Sequence, residues 1–224
     1  TFYALDIAAS ENSWDTKGWQ VLYKSTNAGI TWSDKIGKYL FSAMSDAVEL
    51  RGGDMYVWDV VVAPDDPNFI AVVTNNTATS AAVNVWISTN GGTSWMNTGA
   101  DTVVTAAPWI SAIDISPSYA GALGSTHDIA IGTHASDGSS AGKIFMVSYP
   151  IGIGAWKDQL FDNEDVFAIK FSPSYAGDFC LVVVSANAND TWLNAGFHNN
   201  IDATTVWNTA IGAHFTAYPV EVTA

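Results

Sequence analysis

Ser111–Gly121 reads SAIDISPSYAG, and Phe167–Gly177 reads FAIKFSPSYAG, 56 residues further on. Two earlier stretches fall in the same phase. Val60–Asn68 reads VVVAPDDPN, with Pro64 where Pro117 and Pro173 stand, and Tyr3–Ser10 reads YALDIAAS, with Ala9 at that place. Anchors at 9, 64, 117 and 173 are 55, 53 and 56 residues apart. The stretch AYPVEVTA (Ala217–Ala224) aligns with FYALDIAA: Tyr218 on Tyr3, Val220 on Leu5, Glu221 on Asp6 and Val222 on Ile7, which makes Ala224 a fifth anchor. A fixed period of this length marks one supersecondary unit repeated along the chain.

Within each period the local signals are those of β-strands. The anchor strand is apolar or alternating (Ala112, Ile113, Ile115), a turn follows at the proline, and a second apolar strand comes next: FIAVVTN, DIAIGTH or FCLVVVSA. WQVLYKS, NVWIST and KIFMVSY supply a third, and each period closes on a short segment ending in Trp32, Trp95, Trp156 or Trp207. Four short strands per period form one antiparallel sheet. Such a sheet has two largely apolar faces, and stacking one on the next covers both. Only KIGKYLFSAMSDAVEL, between the first two periods, carries a helical pattern of a turn or two. The expected units are Thr1–Leu50, Arg51–Val104, Thr105–Phe161 and Asp162–Ile211, with Ala217–Ala224 as the opening strand of a fifth.

The third strand runs into STNAGITW at Ser25–Trp32 in the first unit and into STNGGTSW at Ser88–Trp95 in the second. The spacing suits a hairpin. Ser25 and Asn27, like Ser88 and Asn90, have side chains short enough to bond turn amides; Gly29 and Gly92 take the positive φ; Trp32 and Trp95 fold back over the turn. This pattern, Ser-x-Asp/Asn-x-Gly-x-x-Trp, resembles the Asp-box, or bacterial neuraminidase repeat. YPIGIGAW keeps only Gly154 and Trp156, and NIDATTVW keeps Asp202 and Trp207. The resemblance implies an all-β fold of β-propeller blades, four and the first strand of a fifth, standing alone or as part of a larger propeller. It is a blade type of sialidases, xyloglucan-degrading glycosidases, sortilin-type receptors and prokaryotic cell-surface proteins, and the SPSYAG turn is closest in flavour to the last.

Composition narrows the chemistry. Eight Lys+Arg against 22 Asp+Glu give a formal charge of −14 over 224 residues, which excludes a nucleic-acid surface, since phosphate binding requires cations. Arg51 is the single arginine, so the arginine triad that sialidases set around a substrate carboxylate cannot be built. Apolar residues make up 48% of the chain and ten are Trp, enough for a sizeable core, yet no apolar run approaches the ~20 residues of a membrane-spanning helix. The chain opens on Thr1 with no basic and apolar leader, as expected of a mature chain or a piece of one.

Few residues carry candidate chemistry. Asp6, Asp114, Lys170 and Glu221 each fall three residues before an anchor and define a polar ring for a cation or a sugar, or else ordinary strand charges. A glycosidase would need two of these carboxylates about 5–9.5 Å apart. Trp14, Trp19 and Trp192 stand outside the box positions and are the candidates to stack on sugar rings. PDDPN, DNED and NAND are acidic turns rich in hard oxygens, which Ca2+ would favour, but none completes a calcium-loop motif, and no cofactor is expected. GSSAG at Gly138–Gly142 matches G-x-S-x-G, but a strand follows it where a nucleophile elbow needs a helix. Cys180, the lone cysteine, sits in an apolar strand as a core thiol.

Together these features lead to the expectation of a non-enzymatic extracellular protein at a prokaryotic cell surface. It would be structural or adhesive, such as a surface-layer or filament subunit that associates with itself or with other surface proteins. The alternative is a carbohydrate-binding or glycoside-hydrolysing propeller domain with a glycan as partner.

Overall fold

The computed structural model describes residues 1–5, 22–44, 55–76, 83–104, 108–135, 142–150, 155–161, 164–208 and 219–222. The protein is built mostly of β-strands in antiparallel sheets, with few helices. It divides into two compact units, Thr1–Asp101 and Thr102–Ala224.

In the first unit, β1 (Phe2–Leu5) pairs with β2 (Leu22–Ser25). The helix α1 (Lys35–Met44) follows, longer than the turn or two expected. Its apolar stripe of Ile36 and Leu40 packs with Leu22, Val57, Val72 and Trp86, the i, i+4 spacing that places side chains on one helix face. The second sheet runs in sequence order: β3 (Met55–Val62), β4 (Ile70–Asn76), β5 (Asn84–Ser88) and β6 (Met96–Asn97). Residues 70–74 and 84–88 are buried without alternation, so these strands are covered on both faces. Lys24 Nζ donates to Gly91 O at 2.8 Å and the Tyr3 hydroxyl to Pro67 O at 2.8 Å, tying the first pair of strands to turns of the second sheet.

The second unit holds two sheets. One contains β7 (Pro108–Ile115), β9 (Gly124–Ala135), β10 (Ile144–Tyr149) and β11 (Lys157–Asp158), with β8 (Tyr119–Gly121) hairpinned onto the start of β9. The other contains β12 (Asp165–Phe171), β13 (Cys180–Ala186), β14 (Thr191–Asn199) and β15 (Thr204–Trp207), with a short helix α2 (Tyr175–Asp178) in the β12–β13 turn. Ala112, Ala130, Ile144 and Met146 of the first pack on Val166, Ile169, Leu181 and Val183 of the second. Burying each large aliphatic side chain of this kind contributes about 1.5–3 kcal/mol.

Two details lie beyond the sequence reading. The anchor strands β3, β7 and β12 each carry a register shift at the same phase, at Trp58, Ser111 and Phe167, six residues before the proline. Such a bulge bends a strand and re-aims the extra side chain. The second is that Val220–Glu221 forms β16 on the edge of β14, pairing Glu221 with Trp192 and Val220 with Leu193. Beside it, β15 pairs only with Gly196–Asn199, so the first half of β14 had an open edge for β16 to fill.

Candidate functional site

The two SPSYAG tyrosines converge on one carboxylate. Asp128 pairs across from Ser116 at the start of the second strand, where the Ser116 hydroxyl accepts the Asp128 N–H at 2.9 Å and the Ser116 N–H donates back to Asp128 O at 2.9 Å. Tyr119 donates its hydroxyl to Asp128 Oδ1 at 3.0 Å, Tyr175 of the next repeat to Oδ2 at 2.8 Å, and Ser148 to Oδ1 at 2.5 Å. Asp128 is 1% exposed, and among the described residues three hydroxyls, rather than a cation, hold its charge. Burial, and next the charge of Asp128, push both phenols far above their ordinary range, so each keeps the proton it donates. The corresponding position of the next repeat, opposite Ser172, is Cys180, whose amide donates to Asp178 Oδ1 at 2.9 Å instead.

Beside this cluster an open cleft of about 430 Å³ lies between the β8 and β10–β11 edge of one sheet and the β14–β15 turn of its neighbour. Tyr119, Ser148, Lys157, Gln159, His198 and Asn200 line it, together with Met146, Val147, Ile201 and four alanines. A connected chain of hydrogen bonds assigns the protons at its wall. The Gln159 amide nitrogen donates to Lys157 O at 3.0 Å and Ala203 O at 3.2 Å, so its oxygen is the acceptor of the Thr205 hydroxyl at 2.7 Å. With that hydrogen committed, Thr205 Oγ1 accepts from His198 Nδ1 at 3.1 Å. His198 therefore carries its proton on Nδ1. Burial lowers its pKa, against the neighbouring charge of Asp128 and with the help of Lys157, so the ring is neutral near pH 7 and Nε2 is an acceptor.

The two box motifs make nearly the same bonds. Ser25 Oγ accepts Gly29 N–H at 2.8 Å and Ser88 Oγ accepts Gly92 N–H at 2.9 Å; Asn27 Oδ1 accepts Thr31 N–H and Asn90 Oδ1 accepts Ser94 N–H, both at 2.9 Å. Gly29 and Gly92 have φ of 85° and 88°. The tryptophans differ. Trp32 donates its indole N–H to Gly29 O at 3.0 Å, folding over its own turn, yet stays 45% exposed. Trp95 is half-buried against the core of the first unit, and its Nε1 is the one buried side-chain nitrogen or oxygen without a partner among the described residues.

The proposed ring residues are scattered in role. Asp114, at 7% exposure, is not a solvated strand charge. Its Oδ1 accepts from Lys170 Nζ at 2.7 Å and its Oδ2 from the Phe171 N–H at 2.9 Å, which stitches β7 to β12. Glu221 is exposed on β16 beside Trp192. Trp192 belongs to strand β14, half-buried, rather than to a loop. Asp6, Trp14, Trp19 and most of GSSAG lie outside the described residues. Asp66 caps Asn68 N–H at 2.9 Å, and Asn187 Oδ1 takes the amides of Asn189 and Asp190, so these acidic turns spend oxygens on their own backbone. Among the described residues no three His, Cys, Asp or Glu side chains converge as a cation cage for Ca2+. Cys180 is half-buried, its thiol pKa raised by burial and by Asp178.

Asp128, Ser148, Gln159 and His198 escaped the sequence reading. The signal for Asp128 was present in the repeated tyrosine, which a turn alone does not require.

No protein-family model matches the chain, and no curated protein matches it. Among solved structures, the crystal structure of an ancestral GH74 enzyme is similar at 16% sequence identity with a TM-score of 0.47, over 83% of this chain and 22% of that one. The chain thus spans about a fifth of the length of that structure.

Proposed function

We propose that the protein is a non-enzymatic structural or adhesive component of a prokaryotic cell surface. Its sheets act as propeller-type blades with Asp-box turns, and it assembles by stacking one sheet on another. The observation that carries this reading is the outer face of the fourth sheet. The residues of β12 and β13 that turn toward the third sheet are buried, whereas Ala168, Val182 and Val206 face away and are exposed, Val182 at 37% and Val206 at 46%. Val184, Leu193 and Phe197 extend this apolar face and are only partly covered. Within the third sheet Ile129, Ala130 and Ile131 are all 0% exposed, so successive residues of one strand, which face opposite ways, are both covered. A sheet whose outer face is largely apolar and open, with Lys170 beside Val182, suits another sheet of the same kind, and a heterologous contact of this type propagates into rings or filaments.

The occupant that fits is a second copy of the chain. Native mass spectrometry and electron microscopy of the purified chain should show higher-order species. The double variant Val182→Lys and Val206→Lys should remove them while leaving the thermal midpoint within a few degrees, because both side chains are already solvent-exposed. A chain that stays monomeric at high concentration would sink the proposal. Lysis of β-glucans by the wild type, abolished in Asp114→Asn, would replace it with the glycosidase reading.

A further inference from the structure

We infer that Asn90–Gly91 in the second box is a self-modification site. When the turn opens, the Gly91 amide nitrogen closes on the Asn90 side chain to a succinimide, and the folded turn holds this reaction back. It is the one Asn–Gly step in the sequence. Asparagine before glycine is the pair most prone to this cyclisation, because no side chain shields the attacking nitrogen. Packing keeps the pair in place: Gly91 is buried at φ 68°, and a Cβ there would stand 3.0 Å from Asn68 Oδ1 and closer to Lys24 Nζ. In the reaction the Gly91 nitrogen bonds to Asn90 Cγ and gives up its proton, while the Cγ–Nδ2 bond breaks and Nδ2 leaves as ammonia, taking up a proton. Water then opens the ring to aspartate or isoaspartate at position 90, with nothing oxidised or reduced.

Both reacting groups are engaged in the fold. Asn90 Oδ1 accepts from the Ser88 hydroxyl at 2.9 Å, Thr93 N–H at 3.1 Å and Ser94 N–H at 2.9 Å, and Nδ2 donates to Ser94 Oγ at 2.8 Å. The attacking Gly91 N–H is itself donated to Asn68 O at 2.9 Å, and Lys24 Nζ holds the Gly91 carbonyl at 2.8 Å. Cyclisation requires the side chain to turn and the nitrogen to be freed, so it proceeds from the opened turn, at a rate set by how seldom that turn opens. The first box supplies the comparison. Asn27 Oδ1 accepts from the Ser25 hydroxyl and Thr31 N–H, and its Nδ2 donates to Thr31 Oγ1, but Ala28 is exposed and its N–H has no partner among the described residues. The two products at position 90 differ in what they leave. Aspartate keeps the acceptor oxygen for Thr93 and Ser94, whereas isoaspartate lengthens the main chain by a methylene and displaces it. A chain left unfolded thus accumulates molecules that cannot rebuild the second box.

The full chain would be aged at mildly basic pH, folded and in guanidinium chloride, with Asn90 followed by peptide mapping and isoaspartate by enzymatic methyl transfer. Asn90 should convert at least about tenfold more slowly in the folded chain, since the hydrogen bonds that must break to free it correspond to that factor or more. Ala28→Gly places a second Asn–Gly pair in the first box, with the side-chain bonds kept and the amide of residue 28 untied. Asn27 of the folded variant should convert several-fold faster than Asn90 of the same molecule. Ser94→Ala, which removes the Nδ2 acceptor at an exposed position, should speed Asn90 a few-fold with the thermal midpoint within a few degrees. After return to buffer, the aspartate form should regain the melting transition and the isoaspartate form should not. Conversion of Asn90 as fast in the folded chain as in denaturant, or no faster in denaturant than that of Asn27 before Ala28, would overturn the inference. Equal rates for Asn27 and Asn90 in folded Ala28→Gly would overturn the part given to the bonded Gly91 amide.

Discussion

At the scale of single residues, the two box turns are an internal experiment. Ala28 sits at φ 58° where the second copy has Gly91 at φ 68°, and an L-residue there is held in the left-handed region at about 1–2 kcal/mol. Ala28→Gly should stabilise the chain by about 0.5–1 kcal/mol in urea denaturation, the gain reduced by the added freedom of the unfolded chain. Asp128 is the opposite case, a buried carboxylate with three donors aimed at it. Asp128→Ala would leave the buried Tyr175 hydroxyl without its acceptor and break the bonds from Tyr119 and Ser148, and should cost about 3 kcal/mol or more, whereas Tyr119→Phe removes one bond and should cost about 1.5–3 kcal/mol. A loss in Asp128→Ala no larger than that in Tyr119→Phe would count against a carboxylate shared by the two repeats. His198 sets a pH dependence. Its folded pKa lies below the ordinary 6.5, so the unfolded chain takes up the proton first as pH falls. Its contribution is therefore whole above about pH 6.5 and declines below it, toward the lowered folded value. Urea midpoints between pH 7.5 and 5.5 should fall less in His198→Gln than in the wild type.

At the scale of elements, the neighbouring sheets of the second unit are joined by small residues as much as by large ones. Gly132 on β9 leaves room for Val166 of β12: a Cβ at Gly132 would stand 2.7 Å from Val166 Cβ and closer still to Cγ1. Gly132→Ala should therefore destabilise by about 1–3 kcal/mol, and Val166→Ala in the same chain should recover part of that loss, a non-additivity that thermal melts of the four proteins would measure. The bulge at Ser111 serves the same junction. Ser111 Oγ reaches the carbonyls of Gly132 and Val166, a bond between sheets that a regular strand would have turned elsewhere. Gln159 acts likewise, receiving the Trp207 indole N–H on its backbone oxygen at 2.9 Å while its side chain holds Ala203 and Thr205.

At the scale of the molecule, the outer face of the fourth sheet and the cleft beside His198 are both open to solvent. Most of the strands and a helical stretch after the first box were legible in the sequence, because apolar runs, proline turns and the Ser-x-Asn-x-Gly box act over a few residues, whereas β8, α2 and β14 were not. The box hydrogen bonds could be written down from spacing alone for the same reason. Other features required the fold itself. Asp114 looked like a free strand charge until β12 brought Lys170 and the Phe171 amide against it. Trp32 and Trp95 are identical in motif, yet only Trp95 is drawn into a core. That Val220–Glu221 pairs with the half-open edge of β14 was likewise not in the sequence. The tyrosines 56 residues apart were visible as a repetition, but that they share Asp128 follows from the stacking of one repeat on the next. Sequence by itself determined what acts locally: the period, the strands and the turns. Tertiary structure decided which polar groups are spent and which are left free, because burial and partnership arise only when distant repeats pack together.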